Sequence, residues 1–83
     1  MADSIPSFAA LDVHASKSQA AVVDPLTGEL RFRRIAGAPL RALDFLAGLG
    51  PGTRAVYEAG PTGFGLARAA AALGIDLRVV SPG

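Results

Sequence analysis

The sequence contains no cysteine, a single histidine and a single lysine, and its formal net charge is only +1. The absence of cysteine excludes disulfides and thiolate metal sites, so a reducing cytoplasm is the simplest setting. One histidine cannot supply a histidine-rich metal set. A near-neutral balance excludes the broad basic surface by which many nucleic-acid binders advertise themselves, so any such contact must rest on particular residues. No apolar run approaches membrane-spanning length. Met1–Ser4 is not a basic stretch leading into an apolar core, so no signal peptide is visible and no membrane partner is expected.

What is present argues for a packed globule. Hydrophobic residues make up 51% and charged residues 18% of the 83 positions, outside the range of disordered chains. A chain of this length buries only roughly 60% of its unfolded surface, so the core should be thin.

Phe8–Val13 is a short apolar run between Pro6 and the polar stretch His14–Ser18, and is expected to form a first strand. Gln19–Asp24 follows as a second, and Asp24-Pro25-Leu26-Thr27-Gly28 supplies a proline-led turn with glycine where a positive φ is wanted. Glu29–Arg34 alternates, Leu30 and Phe32 on one face and Arg31 and Arg33 on the other, the period of a half-exposed strand. A helix beginning near Pro39 carries Leu40, Leu43, Leu46 and Ala47 at helical spacing and stops at Gly48–Gly52. It can act as a crossover that returns Thr53–Glu58 parallel to the first strand. A second helix is expected from about Gly63 to Leu73, with Phe64, Leu66, Ala69, Ala70 and Leu73 inward and Gly74 as its stop. Asp76–Val80 reads as a fifth strand.

The expected architecture is a mixed α/β sheet of order 3-2-1-4-5: a three-stranded antiparallel meander, then helix, strand, helix, strand. In open α/β sheets ligands bind outside the carboxyl ends of the strands, where the direction of growth reverses. Asp12 and Glu58 occupy the ends of the first and fourth strands. Two neighbouring carboxylates repel unless a cation lies between them, and Mg²⁺ is commonly held by one or two carboxylates plus waters and phosphates. Spacing alone equally allows Asp12 to cap nearby backbone amides and Glu58 to be a solvated acid beside a turn.

The literal motifs go further. Leu11-Asp12-Val13-His14, Ala20-Ala21-Val22-Val23-Asp24 and Tyr57-Glu58-Ala59-Gly60-Pro61-Thr62-Gly63-Phe64-Gly65-Leu66-Ala67-Arg68 together resemble the start of the DEDD-type insertion-sequence transposases, the IS one-ten family. The stretch from Tyr57 is the specific part. The resemblance covers Phe8 to Pro82 and corresponds to the amino-terminal part of a longer family protein. It implies a ribonuclease-H-like (RuvC-like) fold, present here as an incomplete, truncated domain over residues 1–83. It also implies metal-dependent cleavage and transfer of DNA strands during transposition, with Mg²⁺ or Mn²⁺ as cofactor. DNA, a guide RNA and further copies in a homo-oligomer of the full-length protein are the implied partners.

By that resemblance Asp12 would be the first and Glu58 the second acid of a catalytic, metal-binding tetrad. The third and fourth acids lie in a later Asp-Arg-x-x-Asp-like stretch that these 83 residues lack, so the chain carries half the tetrad and is expected to be inactive alone. Asp76, at the start of the fifth strand, should point to the wrong edge. His14, Lys17 and Thr62 are candidate nucleic-acid contacts. His14 also reads as a polar residue opening a turn, and Lys17 as a solvated lysine on the hairpin. Arg31, Arg33 and Arg34 could grip a phosphate backbone or simply protect a sheet edge. Tyr57 should be packed, since it faces opposite to Glu58. Gly60, Gly63 and Gly65 lack the ending and spacing of a phosphate loop. The alternatives are an actin-like or sugar-kinase-type ATP-binding module, which would want glycine where Val13-His14-Ala15 stands, and a non-catalytic remnant of a truncated element.

Overall fold

The computed structural model describes residues 6–58 and 65–80. Five strands and two helices follow in the order β1 (Phe8–Val13), β2 (Lys17–Val23), β3 (Leu30–Ala36), α1 (Leu40–Gly48), β4 (Arg54–Glu58), α2 (Gly65–Ala72) and β5 (Asp76–Val80). They form one mixed sheet of order β3-β2-β1-β4-β5. β1 pairs antiparallel with β2 and parallel with β4, while β2–β3 is antiparallel and β4–β5 parallel. The mixed α/β sheet and its strand order therefore agree with the sequence.

Local chemistry sets the elements. At the β2–β3 turn the Asp24 carboxylate accepts the backbone N–H groups of Leu26 and Thr27, at 2.9 and 3.4 Å. Gly28 adopts φ +74° as the chain re-enters the ladder, a conformation that costs glycine little. α2 ends in a paired-bond stop, in which Ile75 donates to the Ala70 carbonyl and Gly74 to that of Ala71. Gly74, at φ +76°, fills the left-handed position that this motif requires.

The two crossovers, β3-α1-β4 and β4-α2-β5, step across the sheet in the same direction. Right-handed connections then place both helices on one face. That face carries the core: Ala9, Leu11, Ala20, Val22, Ile35, Ala55, Tyr57 and Leu77 from the strands, with Ala42, Leu43, Leu46, Leu66 and Ala70 from the helices. Five of these thirteen residues are alanine, which lets the helices approach the sheet closely. Tyr57 ties the layers together. Its buried hydroxyl accepts the N–H of Ala67 at 3.2 Å, one of the first-turn donors that a helix cannot satisfy internally.

The inward assignment of Leu73 is corrected, and other apolar residues also face solvent. Leu40 and Leu73 are 60% and 66% exposed and Ala47 is also exposed, whereas Ala42 is fully buried. On β3 the apolar side of the alternation faces away from the helices: Leu30 and Phe32 are exposed, and the core-side residue is Ile35. β2 begins two residues earlier than expected, at Lys17, and β3 runs on to Ala36. Phe64 and the expected start of α2 at Gly63 lie outside the described residues. No helix among the described residues is long and apolar enough to cross a membrane.

Candidate functional site

The parallel register of β1 and β4 pairs Phe8 with Arg54, Ala9 with Ala55, Ala10 with Val56 and Leu11 with Tyr57. The next residues along the two strands are Asp12 and Glu58. Because Leu11 and Tyr57 turn into the core, their successors turn to the opposite face, which carries no helix among the described residues. Asp12, the last but one residue of β1, and Glu58, the last of β4, thus follow the final register pair of two neighbouring strands, and both are exposed.

His14 adds a third polar group. Its backbone N–H donates to the Lys17 carbonyl at 3.0 Å, closing the β1–β2 turn, and its Nε2 lies 3.1 Å from Asp12 Oδ1. The turn reading and the proximity to Asp12 therefore hold together. Lys17 is the first residue of β2, paired with Ala36, and is exposed; it belongs to the strand and not to the turn. Thr62, and with it the Gly60-Pro61 turn, lies outside the described residues. Asp76 stands at the opposite rim, paired in register with Arg54 and within 3.2 Å of Arg78.

The row across the sheet at the level of the acids reads Arg34, Gln19, Asp12, since Gln19 pairs with both Arg34 and Asp12. Gln19 escaped the sequence reading, which treated Arg31, Arg33 and Arg34 as one group. The strand period separates them: Arg31 and Arg33 share the helix side with Ile35, and Arg34 shares the bare side with Phe32. The hairpin register set by Asp24–Gly28, extended along β2, was the signal that could have found Gln19 beside Asp12.

Among the described residues no group of three or more His, Cys, Asp or Glu is placed to hold a metal ion. The available donors are a pair of solvent-facing carboxylates. Such a pair suits a hard cation that keeps several waters, as Mg²⁺ does, and does not suit the cage of six to eight oxygens that Ca²⁺ takes. In comparisons with known proteins the chain matches no protein-family model and no curated protein.

Proposed function

We propose that this chain carries the acidic rim of a ribonuclease-H-like (RuvC-like) nuclease domain belonging to a DNA transposase of the insertion-sequence kind. The observation that carries the reading is the Leu11–Tyr57 register, which brings Asp12 and Glu58 side by side. The sheet order β3-β2-β1-β4-β5 and the motif resemblance support it independently.

Asp12 and Glu58 would hold the divalent ion, Mg²⁺ or Mn²⁺, whose chemistry is to polarise a phosphodiester oxygen and to lower the pKa of a bound water. The residues' own work is positioning. Rigid neighbouring strands fix the spacing of the two carboxylates, and the His14 imidazole steadies one oxygen of Asp12. DNA is the substrate in this reading, with a guide RNA and further copies of the full-length protein as partners.

The test is a Mn²⁺ titration of the isotope-labelled chain, read as paramagnetic broadening of backbone amides, joined to a DNA-nicking assay on a protein that contains this chain. Broadening should centre on residues 12 and 58 and be lost in Asp12→Asn and Glu58→Gln, and Glu58→Gln should abolish metal-dependent nicking. Broadening centred elsewhere, or unchanged nicking by Glu58→Gln, would overturn the assignment.

A further inference from the structure

The two acids of the rim are held unequally. Asp12 lies inside β1: it pairs with Gln19, Val13 beyond it pairs with Ser18, and the turn that follows is closed by the His14 N–H to the Lys17 carbonyl at 3.0 Å. Glu58 is the last residue of β4. Pairing with β1 stops one residue earlier, at Leu11–Tyr57. Among the described residues the only register partner of Glu58 is Val80, itself the last residue of the edge strand β5. A strand end supported on one side opens readily.

The residues that precede the acids differ in a matching way. Asp12 follows Leu11, whose side chain needs only apolar surroundings. Glu58 follows Tyr57, 1% exposed and among the largest fully buried side chains. A phenylalanine would fill that place with no hydroxyl to desolvate. The tyrosine hydroxyl instead accepts the Ala67 N–H, ten positions further along the chain, at 3.2 Å. The carboxyl end of β4 is thus tied to the first turn of α2. At its other end α2 is stopped by the Ile75–Ala70 and Gly74–Ala71 bonds that lead into β5. The end of β4, α2 and β5 therefore brace one another, and Tyr57 is the link nearest the acid.

We infer that Tyr57 is a positioning residue for Glu58: its hydroxyl, by gripping the start of α2, keeps the end of β4 extended and the Glu58 carboxylate on the face that Asp12 also occupies. The consequence for metal rests on the acidic-rim reading, whereas the geometry rests on the hydrogen bond alone. An acid held in place before an ion arrives binds it without having to order its own backbone, which is the advantage of pre-organisation. Removing the hydroxyl weakens metal binding by no more than one neutral hydrogen bond supplies, about two- to tenfold.

The experiment compares the isotope-labelled parent chain with Tyr57→Phe and Ile35→Val. Ile35→Val trims the core on β3, which β2 and β1 separate from β4, and controls for a general loss of stability. Backbone amide order is first measured by nitrogen relaxation without metal. In Tyr57→Phe the Glu58 amide should become more mobile while the Asp12 amide keeps its order, and Ile35→Val should change neither. Mn²⁺ is then titrated, and half-broadening at residue 58 should need about two to ten times more Mn²⁺ in Tyr57→Phe than in the parent. Three outcomes would each overturn the inference: unchanged order at Glu58 in Tyr57→Phe, equal loosening of Glu58 by Ile35→Val, or the parent's Mn²⁺ affinity in Tyr57→Phe. A parent chain left unbroadened at residues 12 and 58 would instead overturn the metal reading, and the metal-free amide order would then decide the positioning role by itself.

Discussion

Leu11 and Tyr57 lie opposite each other in the parallel β1–β4 pair, both turned into the core, and their successors Asp12 and Glu58 leave the sheet side by side on its bare face. Adjacent like charges on neighbouring strands oppose the fold, by an amount that solvent exposure keeps small. In EDTA, Glu58→Gln should therefore be more stable than the parent by about 0.2–0.5 kcal/mol, a gain that added salt reduces. With Mg²⁺ the order should reverse. Selective binding to the folded parent contributes about 1.4 kcal/mol at ten times the dissociation constant, and the variant lacks this term. Paired urea melts with and without Mg²⁺ check both signs, and parallel behaviour of the two proteins would count against a shared ion.

Tyr57 has one side chain in two roles, filling the core and accepting the Ala67 N–H at the start of α2. Tyr57→Phe keeps the ring and removes the acceptor. A loss of about 0.5–1.5 kcal/mol is expected in denaturant melts, together with faster amide exchange at Ala67. Tyr57→Ala also removes the ring, and a cost of about 3–5 kcal/mol is a large part of the total stability of so small a fold. An unchanged exchange rate at Ala67 in Tyr57→Phe would show that the hydroxyl does not hold the helix start.

Much of this architecture is legible in the residues. The Asp24–Gly28 turn, the Pro39 and Gly74 helix limits and the alternation of Tyr57 against Glu58 each have a single local explanation, and each acts in the structure as its chemistry suggests. What periodicity could not give is which side of a strand is covered. Leu30 and Phe32 have the pattern of a buried face, yet both crossovers pass over the other side of the sheet. Short helices add a second ambiguity. In α1 the buried stripe is centred on Ala42, Leu43 and Leu46, so Leu40, one turn earlier at the end of the element, is left in solvent despite its matching period. The adjacency of the acids was legible because it depends only on strand order and on two apolar neighbours.

Ser18 lies in β2 on the helix-covered face, 1% exposed, and its hydroxyl has no hydrogen-bond partner among the described residues. A buried hydroxyl without a partner carries its desolvation cost uncompensated. Ser18→Ala should therefore stabilise the fold by about 1 kcal/mol, raising the melting temperature by about 4–8 °C for a domain of this size. Calorimetry decides it. A loss of stability in Ser18→Ala would mean that the hydroxyl has a partner in solution, which would place a polar group or a trapped water against this strand.

Two glycines near helix ends should respond to the same substitution with opposite signs. Gly48 is the last residue of α1, and a methyl group added there meets nothing within 4 Å. Alanine should stabilise α1 by up to about 1 kcal/mol, because glycine loses more backbone freedom on entering a helix. Gly74 also has open space around it, but its φ is +76°, so Gly74→Ala meets no clash and only conformational strain. A cost of about 1–2 kcal/mol is expected, with loss of the Ile75–Ala70 and Gly74–Ala71 bonds and fraying of α2 toward β5. Urea melts of the two variants, with amide exchange over residues 70–75, give the comparison. Equal and small effects at both positions would show that α2 does not end through the left-handed turn at Gly74, and that the entry into β5 is set by something other than this stop.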